Sequence, residues 1–172
     1  MPSSPVELGG GRAAIIRFVH DAYDDVEIEP GKGPAHARAV EEILRRYGHD
    51  ERTLLAGLLH DVVEHTPRDV DDVRGVAGDE VAAMVAALTD DAAIAHYGPR
   101  KRALRMKVAA FGCPVVDIAI ADKIDSLRHA LSTGATVSAS KLVHYRASLQ
   151  LALIAGVAEE MCGDLGVLLA LF

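Results

Sequence analysis

Four side chains in this 172-residue sequence stand where an isolated polar group is expensive. His36 lies four residues before Val40 and so shares the apolar face of a helix. His60 and Asp61 close the very apolar run LLAGLLHD, and Asp122 falls inside VVDIAIADKI. Buried Asp and His destabilise a fold unless they are paired, hydrogen-bonded or ligated. One divalent ion would satisfy all four. Two imidazoles and two carboxylates suit Mn²⁺, Fe²⁺, Zn²⁺ or Co²⁺ better than Ca²⁺. No thiolate belongs to the set, which argues against a structural zinc site. Four protein ligands on an octahedral ion leave about two positions for water or a substrate oxygen. Each residue has a plainer reading on its own. A single buried His is more often a hydrogen-bonded core residue, an HD dipeptide alone carries little, and Asp122 could pair with Arg128 or Lys123. The weight lies in the order and surroundings of all four.

The elements that must position these residues are helical. Ile15, Phe18, Val19, Ala22 and Val26 recur at helical spacing, as do Val40, Ile43, Leu44 and Tyr47 beyond the breakers Pro30, Gly31, Gly33 and Pro34. Asp50 is placed to cap a third helix whose Leu54, Leu55, Leu58 and Leu59 make it central, and Pro67 stops it. A short acidic helix follows near 69–74, then one after Gly78 carrying Val81, Met84, Val85 and Leu88. Pro99 and Pro114 are read as first helical positions, opening a basic helix over 99–111 and a long one ending near Gly134. The last helix is expected over about 138–160, with the tail LGVLLALF docking on the body or meeting a second copy in a homodimer. No stretch alternates with period two for long enough to make a strand. The expectation is an all-α bundle of roughly seven helices: a disordered leader at 1–11 and one domain over 12–172.

Composition narrows the class. Half the residues are apolar and a quarter charged, as in an ordinary globular protein. A net charge of −7 lacks the basic footprint of a nucleic-acid binder. Two cysteines, Cys113 and Cys162, make no disulfide framework and point to a reducing, cytoplasmic setting. The first residues show no apolar signal-peptide core, and no apolar run reaches the ~18 residues of a membrane span.

The pattern H…HD…D, set in LLAGLLHDVVEHT and IADKIDSLRHA, resembles the HD-domain metal-dependent phosphohydrolases. It is most similar to the hydrolase domain of Rel/Spo-type alarmone enzymes and their small stand-alone relatives. AHARAVEEIL, GDEVAAMVAALTD and GPRKRALRMK fall in the family's order, so the resemblance spans roughly 14–150. It implies His36, His60, Asp61 and Asp122 as ligands of a metal, typically manganese, and hydrolysis of a pyrophosphate ester at a ribose 3′ position. It also implies that Glu64, one turn past the HD pair, helps to activate water. The family's next residue is usually Asp; here it is His65, which can relay protons. The family's LHN after the last Asp is Ile124-Asp125-Ser126 here, so Ser126 puts a hydroxyl where an amide meets nucleotide. The purine-holding loop is shortened to EPGKGPAHAR, with Lys32 its one basic residue before the first His.

Arg100, Lys101, Arg102, Arg105 and Lys107 form a basic cluster on an acidic chain. Helical spacing lets one or two point inward, and the resemblance favours Arg100 and Lys101 as phosphate ligands, with Lys123 another. His20, His49, His96, His129 and His144 are expected at the surface or the core edge, His129 being the one to watch. The favoured reading is a phosphohydrolase for a small nucleotide or related ester. A 5′-nucleotidase releasing inorganic phosphate and a non-catalytic nucleotide sensor are the alternatives.

Overall fold

The computed structural model describes residues 11–156 and 159–172. The leader expected at 1–11 therefore lies, Gly11 apart, outside the described residues. Among these, regular structure is entirely helical, in ten helices. The count exceeds the roughly seven expected: of the eight runs read as helices in the sequence, two are broken. The helix expected from Asp50 to Pro67 divides into α3 (Glu51–Leu59) and a single turn, α4 (Val62–His65), with His60 and Asp61 at the break. The last helix stops earlier than expected. Here α9 (Ala139–Ala155) ends at Gly156, whose φ of +68° suits glycine, and α10 (Glu159–Leu169) follows.

The remaining helices are α1 (Arg12–Tyr23), α2 (Pro34–Arg46), α5 (Val70–Ala77), α6 (Asp79–Leu88), α7 (Tyr97–Phe111) and α8 (Val115–Thr133). Their ends follow local chemistry. Asp50 accepts from the Thr53 amide at 2.9 Å, capping α3. Asp69 and Asp72 form a reciprocal box at the start of α5. The proline roles differ from expectation. Pro34, read as a breaker, is the first residue of α2; Pro99 is the third of α7, and Pro114 sits just outside α8 at its cap.

The central helix is α3, where Leu55, Leu58 and Leu59 are fully buried, each contributing about 1.5–3 kcal/mol. It packs against α2, α6, α8 and α1. The α2–α3 crossing is close at Gly57: a Cβ there would stand 2.6 Å from Leu44 Cδ1. α8 lies across α2, and the tail docks, α10 burying Met161, Cys162, Leu165 and Leu169 against α8 and α9. Among the described residues no helix is long and apolar enough to cross a membrane.

Candidate metal centre

Three helices bring the expected ligands together. His36 comes from the first turns of α2, His60 and Asp61 from the α3–α4 break, and Asp122 from the middle of α8. His36 Nε2 is 3.1 Å from Asp122 Oδ1 and 3.6 Å from Asp61 Oδ2. His60 Nε2 is 3.2 Å from Asp61 Oδ1 and 3.8 Å from Asp122 Oδ1. Ligand atoms of His36, His60 and Asp122 lie within 4.8 Å of one another, and those of Asp61, Glu64 and His65 form a second such group.

The donor atoms are prepared for an ion. His60 Nδ1 is 2.8 Å from the Gly57 carbonyl, which only accepts, so Nδ1 carries the proton. Its Nε2 lone pair is then buried in the site without a hydrogen-bond partner. His36 Nδ1 donates to Asp125 Oδ2 at 2.6 Å, leaving Nε2 turned to the centre. Residue 125 was noted in the sequence only as a departure from the family pattern. Its place three residues after Asp122, on the same face of α8, was the available signal. The residues thus fit a divalent ion: two imidazole nitrogens with fixed outer hydrogen bonds and two flanking carboxylates.

Electrostatics hold the carboxylates ionised. Burial favours the neutral form of Asp61, but His60 and Lys32 outweigh it and lower its pKa to about 2. Asp122 is held well below the usual range, burial being overcome by Lys32, His36 and His60. Burial opposes charge on His36, and its bonds to Asp122 and Asp125 prevail, raising it to about 9.

A cavity of about 300 Å³ opens beside the centre. His60, Asp61, Glu64, His65 and Asp122 line one side, and Lys32, Arg100, Lys101, Arg105, Lys123 and Lys141 supply cations around it. Glu64 Oε1 is 3.9 Å from His65 Nε2 and 3.8 Å from Lys101 Nζ. Lys32 Nζ reaches Asp61 Oδ2 at 2.8 Å. Lys101 Nζ and Arg100 Nε share Asp90 Oδ2, at 2.7 and 3.1 Å, and Arg100 also ties down the carbonyls of Ile94 and Ala95. Lys123 donates to the Ala119 carbonyl at 2.8 Å. Ser126 is not in the cavity wall; its hydroxyl is 3.5 Å from Asp122 Oδ1.

Several wall residues escaped the sequence reading. Arg105 faces inward with Lys101, one turn away on α7, so more of the basic helix points inward than expected. His144, expected at the surface or core edge, is buried in the wall. Its Nδ1 is 2.7 Å from Arg105 Nη1 and must accept, because guanidinium only donates. Burial, then Lys123, Lys101 and Arg105, push His144 down to about 2, against Asp122. Tyr97 and Tyr145 flank it, their ring centroids 6.5 and 5.7 Å from its own. Lys141, His144, Tyr145 and Ser148 recur at i, i+3, i+4 and i+7, a polar stripe on a packed helix that was a readable signal. His129 packs instead on the loop before α2, where a Cβ on Gly31 would meet its ring at 2.8 Å.

The HD domain family model matches residues 17–144. The chain belongs to the HD-domain family. Within it, this HD domain is 40% identical over 79 residues to the Drosophila melanogaster guanosine-3′,5′-bis(diphosphate) 3′-pyrophosphohydrolase MESH1, covering 46% of this chain and 44% of that protein. It is 36% identical over 96 residues to a Streptomyces coelicolor GTP pyrophosphokinase, covering 54% and 11%. The matches thus span less than half of these relatives' lengths. A solved metazoan ortholog of SpoT, described as hydrolysing ppGpp, superposes with a TM-score of 0.77 at 24% identity over 98% of this chain and 97% of its own, a likeness of fold. A crystal structure from Listeria monocytogenes gives 0.67 at 28% identity, covering 78% and 90%.

Proposed function

We propose that this HD domain, over residues 12–172, is a metal-dependent phosphohydrolase acting on a small nucleotide or a related phosphate or pyrophosphate ester. The observation that carries the reading is the unpartnered Nε2 of His60, buried beside His36, Asp61 and Asp122 at the mouth of a cation-walled cavity. His36, His60, Asp61 and Asp122 would hold the ion, taken as Mn²⁺, with Fe²⁺, Co²⁺ and Zn²⁺ compatible with the same donors. When bound, such an ion supplies Lewis acidity and makes water a stronger acid.

The chain's own residues do the rest. Glu64 carries a carboxylate on the cavity side and accepts the proton of the attacking water, with His65, 3.9 Å away, relaying it. Lys32, Arg100, Lys101 and Lys123 offset charge gathering on the phosphoryl oxygens. The loop before α2 brings only Glu29 and Lys32 to the cavity and no aromatic ring. A nucleotide base would therefore rest on Tyr97, His144 and Tyr145 instead.

The test is a panel of ppGpp, nucleoside triphosphates and nucleoside monophosphates with Mn²⁺, reading phosphate and pyrophosphate separately. Turnover that disappears on chelation is expected, with ppGpp a poor substrate beside the best of the panel because the purine-holding loop is short. Phosphate from monophosphates alone would make the protein a nucleotidase. Binding without turnover of anything would make it a sensor.

A further inference from the structure

The cavity beside the metal centre changes character along its length. Its walls come largely from α7, α8 and α9, which pack on one another. The turns at 112–114 and 134–138 are short, so α8 runs antiparallel to both neighbours. On α7 the wall passes from Arg100 and Lys101 to Leu104 and Val108. On α9 it passes in the same direction from Lys141 to Ser148 and Leu151. On α8, which runs the other way, it passes from Lys123 and Asp122 back to Ile120, Ala119 and Val116. The charged ends of the three stripes therefore meet at the metal centre, and their apolar ends meet at the opposite end of one slot. From Asp122 to Val116 the slot runs about 9 Å along the α8 axis.

The apolar end offers little to a group that needs hydrogen bonds. Val108, Val116 and Ile120 are buried there, and Leu104, Ala119 and Leu151 are half-buried in its wall. The polar groups at that level are engaged within the wall itself. Ser148 Oγ donates to the His144 carbonyl at 3.0 Å, and Arg105 Nη1 donates to His144 Nδ1 at 2.7 Å. A purine carries several polar atoms that would leave water at this end and find few partners. An alkyl group carries none, and it gains from every apolar contact.

Given the phosphohydrolase reading, on which this rests, we propose that the slot holds a short aliphatic chain, so that the substrate is the phosphate or pyrophosphate ester of an apolar alcohol rather than a nucleotide. The phosphoryl group lies at the charged end, among Lys32, Lys101 and Lys123. The chain passes the rings of Tyr97, His144 and Tyr145 and lies along Leu104, Ala119 and Leu151. A volume of about 300 Å³ for the whole cavity is at the small end of ligand sites and suits a short chain. Burial of that chain supplies the grip that the short loop before α2, with only Glu29 and Lys32 in the wall, does not.

The experiment is calorimetry on the full chain with Mn²⁺ present, titrated with methyl-, butyl- and hexylphosphonate and with a nucleoside 5′-phosphonate. Phosphonates resist hydrolysis, so the series reads the slot whether or not any ester is turned over. Affinity is expected to rise roughly three- to fourfold per methylene, with a heat-capacity change that grows more negative along the series. Ala119→Phe, which fills the slot, should abolish the rise, and Leu151→Gln should flatten it. The wild-type series decides alone if either variant fails to fold. Equal affinity from methyl to hexyl, or a nucleoside phosphonate that binds more tightly than hexylphosphonate, would overturn the assignment. So would a wild-type slope retained in both folded variants. Release of phosphate or pyrophosphate from the matching alkyl esters tests the reaction separately: a binding slope with no release from any ester would sink the phosphohydrolase reading and leave the slot a site for an apolar-tailed phosphate.

Discussion

Replacing Asp125 with Ala removes the one acceptor of the His36 Nδ1 proton, a 2.6 Å bond inside the core. His36 then loses what fixes both its ring rotation and its tautomer. The tautomer with the proton on Nε2 can donate to Asp122 Oδ1, 3.1 Å away, and in that form has no lone pair for an ion. Outer-shell partners of this kind change metal affinity by roughly 10–100-fold, or about 1.4–2.7 kcal/mol. Local exposure decides where in that range the effect falls. The His36 side chain is 1% exposed, but that of Asp125 is 19% exposed, so water can follow into the space the carboxylate leaves. A loss of about 10–30-fold is therefore expected for Asp125→Ala. Asp125→Asn keeps an acceptor oxygen and should lose less than about tenfold. Asp125 also favours the protonated imidazole, so part of the loss is hidden at neutral pH. Mn²⁺ titration against a chelator at about pH 8.5, under nitrogen, reveals it. If Asp125→Ala binds within about twofold of wild type while His36→Gln does not bind, the orientation argument is wrong.

Three further outcomes follow from the geometry. Glu64→Gln should bind Mn²⁺ as wild type does while kcat falls by roughly 10²–10⁴, and a wild-type rate would pass the role of base to His65. His144 stays neutral in the fold but takes a proton near pH 6.5 when unfolded, so its contribution to stability is present above that pH and lost as pH falls below it. Urea midpoints should show wild type losing about 1 kcal/mol more than His144→Gln between about pH 6.5 and 5.5, and parallel pH profiles would refute the assignment. Leu55→Ala, at a fully buried position of α3, should lose about 3–5 kcal/mol in the same assay, whereas a loss under about 1 kcal/mol would mean that α3 is not the centre of the core.

How much could be read in advance depended on how local each signal was. The cap at Asp50 and the apolar stripes of α2 and α3 are set within a few residues, and the structure shows them where the pattern put them. His36, His60, Asp61 and Asp122 stood out because each interrupts an apolar face, and the fold brings them within hydrogen-bonding or ion-pair distance. The break at His60 was invisible, since LLHDVVEH reads as continuous helix by propensity and only the packed site shows where it parts. The far wall was harder still. His144 and Tyr145 owe their place to α9 packing beside α7 and α8, a long-range outcome that no window along the chain contains.

Gly57 ties two selective pressures to one position. Its missing side chain admits Leu44 at the α2–α3 crossing, and its carbonyl fixes the proton on His60. A residue with a Cβ would force the buried Leu44 side chain to repack where the two helices that carry His36 and His60 cross. Damage at this point would reach the packing and the metal centre together, so a mutation elsewhere that restored stability alone would not restore the site. Evolution along this lineage should therefore hold Gly57 as firmly as the ligands, although it touches neither ion nor substrate.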